Sequence, residues 1–261
     1  MKNLIQSLVL VIAVTAYATL LAQTQSVNDQ LTEGKLLTKQ AYNQYDKKLL
    51  LQAHDIFQHV YKADTSNVEA LYNVTLVEYK LLEMGARPGS EQLFEQYYES
   101  ALENATLLSN GKEFAAEGKT LSAAIYMMKI ASSPMSAVTL SSKVHSLLDE
   151  AEKIKPEFPR IYLIRGMMKF NTPVVFGGST TDALKNFNKS VSLYEKQNAD
   201  TASGDWGYCE ALTWTGRAQE KLENYDAALF SYKKVLNVEP EFSWVKYALL
   251  PKLEEKIAAK K

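Results

Sequence analysis

The stretch from Tyr208 to Pro240, YCEALTWTGRAQEKLENYDAALFSYKKVLNVEP, constrains the chain more tightly than any other. Small and apolar residues recur there at intervals of three and four, the period of two amphipathic helices joined by a tight turn. Gly216 and Ala228 lack bulk where the two backbones must approach, Tyr225 and Tyr232 fill the space around that crossing, and Pro240 stops the second helix. Two helices of this kind cannot bury both apolar faces alone. The unit therefore demands neighbours, and a chain that supplies them is a helical array.

The neighbours are in the sequence. Ala53, Phe57 and Val60 repeat the spacing of Ala228, Tyr232 and Val235, and Ala183, Phe187 and Ser190 repeat it again; Gly166 corresponds to Gly216. The clearest units are 34–67, 157–196 and 209–242. Between them, Asn67 is positioned to cap a helix over Val68–Met84, Ser90 to cap the next, and Ser133-Pro134 to open another that carries Val138, Val144, Leu147, Leu148 and Ala151. Thr180 or Thr181 can cap the helix after the enlarged turn of the second clear unit, Gln197 to Asp205 is a polar linker, and Phe242 to Ile257 is a final amphipathic helix that Pro251 should kink or break. The reading is all-α: about eleven helices, as five helical pairs and a C-terminal capping helix, in one domain over 23–261. Within 111–150 the period is helical, but the small residues miss the repeat positions.

The spacing of Ala211, Leu212, Thr215, Gly216, Tyr225, Ala228, Tyr232, Val235 and Pro240 resembles the tetratricopeptide family, with Gln219 standing where that family prefers an aromatic. The resemblance implies an α-α superhelix, a right-handed solenoid whose first helices line a concave groove. Carried across residue by residue, it implies groove positions at Tyr42 and Tyr45; at Tyr72, Leu76 and Tyr79; at Arg160, Met167 and Phe170; and at Arg217 and Lys221. It further implies a protein or peptide partner, with Arg217 and Lys221 offering charge-assisted contacts and the aromatic residues apolar anchors. No ring of basic residues recurs through the units, which argues against a clamp for a terminal carboxylate.

One turn departs from the pattern. Gly166 to Ala183 is five residues longer than Gly216 to Ala228, and the enlarged turn contains Pro173, Val174, Val175, Phe176, Gly177 and Gly178. Enlarged loops of array proteins carry binding surface, so Val174, Val175 and Phe176 form a candidate loop surface. The segment also resembles a Pro, Phe and Gly-Gly turn in some exported bacterial repeat proteins, including periplasmic helper subunits of solute transporters. Paired glycines without a following Gly-Lys-Ser/Thr do not make a phosphate loop.

The first residues, one lysine and an apolar run from Leu8 to Leu21 followed by small and polar residues, read as an export leader. Residues 1–22 are the expected signal peptide, with cleavage after Ala18 as the alternative to Ala22. No cysteine follows the run, which argues against a lipid anchor, and no later apolar segment is long enough to span a bilayer. The expected location is therefore periplasmic or otherwise exported, without stable membrane insertion after signal removal. With 29 basic and 30 acidic side chains, and Lys2 leaving with the leader, the charge balance argues against a nucleic-acid binder that neutralises many phosphates. Cys209 is alone, so no intrachain disulfide is available, and its place near a repeat helix start reads as a small buried hydrophobe.

Catalysis finds no constellation. His54 and His59 are five apart, off a shared helix face, and His145 is isolated; no H-E-x-x-H or clustered His, Cys and Asp spacing supplies a metal site. The expected protein is a non-enzymatic envelope scaffold with no catalytic, metal or cofactor residues. Its alternatives are a helper subunit of a periplasmic solute transport system and a structural component of an envelope assembly.

Overall fold

The computed structural model describes residues 27–86, 89–197 and 206–260. The expected leader, Pro88 and all but the first residue of the Gln197–Asp205 linker lie outside these. Helix α1 covers 27–44. It is followed by α2 (Lys47–Ala63), α3 (Val68–Gly85), α4 (Glu91–Asn110), α5 (Ala115–Ser132), α6 (Ala137–Ile154), α7 (Pro159–Asn171), α8 (Thr180–Lys196), α9 (Tyr208–Lys221) and α10 (Tyr225–Val238). A last helix, α11, spans 243–259, and no strand occurs among the described residues.

Consecutive helices pack against one another, and α3, α5, α7 and α9 also touch in series. The odd-numbered helices thus form an inner layer and the even-numbered ones an outer layer. This is an α-α superhelix.

Within three pairs the crossing is built the same way. A Cβ on Gly34 would lie 2.6 Å from the Phe57 ring, one on Gly166 2.4 Å from the Phe187 ring, and one on Gly216 2.4 Å from the Tyr232 ring. The three rings are fully buried. Each contributes about 1.5–3 kcal/mol by leaving water, and each occupies volume that only glycine leaves free. Gly34 had no assigned role in the sequence, because its unit lacks the short spacing of the last one.

The middle of the chain is built differently, which explains its poor fit. Gly118 of α5 faces the backbone of α4, where a Cβ would lie 2.4 Å from the amide nitrogen of Ser109. The close approach is there backbone to backbone. Ala105 of α4 and Ala115 and Ala116 of α5, all buried, provide small surfaces along these helices.

Helix starts follow local chemistry, with three corrections. Asp46 accepts from the amides of Lys48 (2.7 Å) and Leu49 (3.3 Å), and Asn67 from Ala70 (2.9 Å). The cap of α8 is Ser179, accepting from the Asp182 amide at 3.1 Å, because the helix already begins at Thr180, the first of the two expected cap residues. Ser90 precedes α4 without a side-chain bond to it. Ser133-Pro134 opens a 3₁₀ turn, Pro134–Ser136, and α6 begins at Ala137. Within α6, Val138 is exposed (82%). It lies six positions before Val144, about 240° around the helix from the Val144, Leu148 and Ala151 face.

Pro251 does not break α11. The five residues Val245–Leu249 form a π-helical turn, and the Leu250 amide bonds the Val245 carbonyl, so the widened register precedes the residue that has no amide to give.

Replacing Gly216 with alanine tests the crossing. Helix propensity favours alanine by about 1 kcal/mol, but the added methyl meets a fully buried ring, and overpacking of this kind costs about 1–3 kcal/mol. The expected result is a net loss of stability in urea titrations, reduced when Tyr232 is also replaced by leucine. A Gly216→Ala protein as stable as the parent would remove the crossing as a determinant.

Candidate functional site

The inner layer sets Tyr42 and Tyr79 around Lys80, Tyr72 and Arg160 on Trp206, and Phe170 beside Arg217 and Lys221. From α3, Lys80 reaches across to α9: its ammonium is 2.5 Å from Glu210 Oε1 and 3.0 Å from Glu83 Oε2. It also lies 4.4 Å from the Tyr42 ring centroid and 5.1 Å from those of Tyr79 and Trp206. The Tyr79 hydroxyl donates to Glu83 Oε1 at 2.9 Å. Lys80 and Glu210 are both buried, and 130 residues separate them.

Trp206 ties the same space to α7. Its indole N–H donates to the Tyr72 hydroxyl at 2.8 Å, while its carbonyl accepts from Arg160 Nε at 3.0 Å and the Tyr194 hydroxyl at 3.1 Å. At the ends of the array, Tyr42 meets Phe242 edge-on with centroids 5.4 Å apart. Lys39 lies 2.7 Å from Glu239 Oε1, and Asn43 Nδ2 donates to Glu239 Oε2 at 3.0 Å. The first helix therefore closes on the segment after α10.

Burial shapes the titration of this interior. The Tyr42 and Tyr79 phenols are held well above the usual tyrosine range, first by burial and then by Glu210 and Glu83. Burial alone would lower the Lys80 ammonium, but the two carboxylates outweigh it and raise it. Burial also raises Glu83 against the pull of Lys80. Cys209, buried near Glu239 and Glu210, is pushed up to about 12, which makes it an inert thiol at neutral pH.

The expected groove thus divides. Tyr72 and Arg160 are bonded inward, Leu76, Tyr79 and Met167 are buried, and Tyr42 covers Lys80. Tyr45 lies in the turn between α1 and α2 in a left-handed conformation (φ 58°), off the inner face. Phe170, Arg217 and Lys221 gather elsewhere. The Arg217 guanidinium stacks 4.2 Å from the Trp214 ring centroid, 5.2 Å from Phe170 and 5.3 Å from Trp244, and the Lys221 ammonium lies 4.6 Å from Phe170. Sequence reasoning passed over Trp206 and Trp214. With only three tryptophans in the chain, a Trp-Gly at the end of a polar linker was the available signal.

The enlarged turn projects from the end of α7. Val174–Phe176 form a 3₁₀ turn and are 82%, 84% and 79% exposed. The turn is nevertheless tightly built. Gly177 takes φ 87°, and a Cβ on Gly178 would fall 1.7 Å from the Thr172 carbonyl oxygen. The Gly178 amide bonds the Pro173 carbonyl (3.1 Å), the Ser179 amide bonds the Lys169 carbonyl (3.0 Å), and Lys169 Nζ donates to the Gly177 carbonyl (3.1 Å).

The crystal structure of TTC0263, a thermophilic tetratricopeptide protein of Thermus thermophilus, superposes with a TM-score of 0.57 at 19% identity, covering 89% of this chain and 97% of that one. The fold is tetratricopeptide-like. The HusA haemophore of Porphyromonas gingivalis is similar to the same degree, with a TM-score of 0.57 and 20% identity over 76% of this chain and 93% of that one. No family model matches the sequence, and no curated protein matches it. Among the described residues no helix is long and apolar enough to cross a membrane.

The buried ion cluster makes two expectations. Lys80→Met leaves Glu210 and Glu83 uncompensated and should cost about 3–5 kcal/mol, with part of it recovered when Glu210 is also made methionine. Raised Lys80, Tyr42 and Tyr79 bind protons in the folded state that the unfolded chain releases, so stability should be full below about pH 10 and fall above it. Melting temperatures measured from pH 8 to about 11.5 should show that fall, flattened in Tyr79→Phe. A profile that Tyr79→Phe leaves unchanged would contradict the assignment.

Proposed function

We propose that this chain is a non-catalytic scaffold of the bacterial cell envelope that binds a protein or peptide partner, and that the projecting Pro173–Gly178 turn is its principal contact. The observation that carries the reading is the pairing of exposure with order in that turn. Three consecutive apolar side chains face solvent on a backbone closed by its own hydrogen bonds and by both the carbonyl and the ammonium of Lys169. An exposed apolar knob costs solubility, and a rigid one loses little entropy on docking; together these are properties of an interface anchor.

The concave face contributes differently from a fully open groove. Its α3 and α9 residues hold each other across the interior, which leaves Phe170, Arg217 and Lys221 as the part beside the turn that a partner can reach. Phe170 lies one residue before the end of α7, so the two surfaces adjoin. The tetratricopeptide-like fold supports a role in protein interaction generally, and the leader-like N-terminus supports the envelope. The helper-subunit alternative, in which the chain serves a periplasmic solute transport system, is favoured by one fact: a protein of similar fold is named a haemophore.

The test is affinity capture from the native envelope with the leaderless chain, residues 23–261, against a variant carrying Val174→Ser, Val175→Ser and Phe176→Ser. Because these side chains are largely exposed, each change should move stability by no more than about 0.5 kcal/mol. A partner retained by the parent and lost by the folded variant supports the proposal. A partner retained equally by both moves the interface elsewhere, and recovery of the native protein only from the cytoplasmic fraction would remove the envelope assignment.

A further inference from the structure

The described residues include three arginines in different circumstances. Arg165 pairs with Asp149 (2.6 Å) and Glu152 (2.5 Å), and Arg160 donates from Nε to the Trp206 carbonyl (3.0 Å). Arg217 has neither kind of partner among the described residues. Its planar face is covered by Trp214, with Phe170 and Trp244 close by, yet a cation–π contact satisfies no N–H donor.

The carboxylate whose charge acts on Arg217, that of Glu220, is already engaged. Glu220 accepts from the Tyr232 hydroxyl through Oε2 at 3.2 Å, and its Oε1 pairs with Lys256 of α11. Burial holds Arg217 below the ordinary arginine value, against the opposing pull of Tyr232 and Glu220. Desolvation without hydrogen bonds is an unfavourable state for a guanidinium, and an incoming anion relieves it.

Lys221 lies one helical turn beyond Arg217, exposed and close to the same Phe170 ring. The two cations therefore flank a platform of aromatic rings, of which Phe170 and Trp244 are partly exposed. A simple inorganic anion would use the charges and waste the rings. An uncharged aromatic would use the rings and leave Arg217 unpaired.

We propose that Arg217, Lys221, Phe170, Trp214 and Trp244 form a binding site for a small planar organic carboxylate. The carboxylate pairs along the free edge of the Arg217 guanidinium with Lys221 as the second cation, and the planar body lies against Phe170 and Trp244. The site adjoins the Val174–Phe176 contact but shares no residue with it, so substitutions in the turn and at Arg217 or Lys221 report on the two proposals separately.

The probe is 2-naphthoate, titrated calorimetrically into the leaderless chain beside 2-naphthamide and inorganic phosphate. The expected result is saturable binding of naphthoate at least tenfold tighter than either comparison compound. Arg217→Gln should weaken it tenfold or more, and Lys221→Gln, at an exposed position that does not threaten the fold, severalfold. Equal binding of naphthamide would reduce the site to an apolar patch, and equal binding of phosphate would reduce it to a cluster of cations. No saturation at millimolar naphthoate, or naphthoate affinity unchanged in a folded Lys221→Gln and Arg217→Gln pair, would overturn the proposal.

Discussion

The structure depends on how closely two helices of a pair can cross. Where Gly34, Gly166 and Gly216 remove a side chain, Phe57, Phe187 and Tyr232 take its place, and the ring fixes both separation and tilt. A rigid body of fixed tilt, repeated, generates curvature. The curvature brings α3 opposite α9 and the end of α1 against the segment after α10, although no single pair contains the information that these elements will meet.

That meeting changes the meaning of the concave face. An open solenoid leaves its inner side chains hydrated. Here the inner side chains are close enough to satisfy one another, and Lys80 exchanges water for Glu210, Glu83 and three aromatic rings. Buried ion pairs of this kind are poor sources of net stability but strict about geometry, because displacing one member leaves the others uncompensated in a medium of low polarity. The cluster specifies which curvature is allowed more than it adds to the free energy of folding. Trp206 has a comparable effect through its indole N–H and carbonyl, which engage Tyr72, Arg160 and Tyr194 at once.

The two surfaces proposed to bind partners are what the closure leaves over. The enlarged turn cannot join the core, since its backbone is committed to its own hydrogen bonds and its apolar side chains point into solvent. The Arg217 cluster is incomplete in the opposite sense: it is partly buried and aromatic, but short of an acceptor. One surface presents apolar area without a cover and the other a cation without an anion, and both sit at the end of α7.

The sequence by itself determined the all-helical class and the crossing residues Gly166 and Gly216, because these follow from a period of three to four and from local volume; Gly34 and Gly118 emerged only from the structure. Ala53, Phe57 and Val60 announce their burial through their likeness to Ala228, Tyr232 and Val235. Local pattern failed where two backbone geometries share one pattern, as at Ser133-Pro134, where a 3₁₀ turn precedes α6, and at Pro251, where a π turn lets the helix continue past the proline. The use of the inner face was decided only by the tertiary structure. Tyr79 and Arg217 were both expected in the groove, yet one is buried beside an ion pair and the other is stacked without an acceptor. The physical reason is that curvature accumulates over many crossings, so that Lys80 and Glu210, 130 residues apart, become contacts only when all the intervening angles are summed.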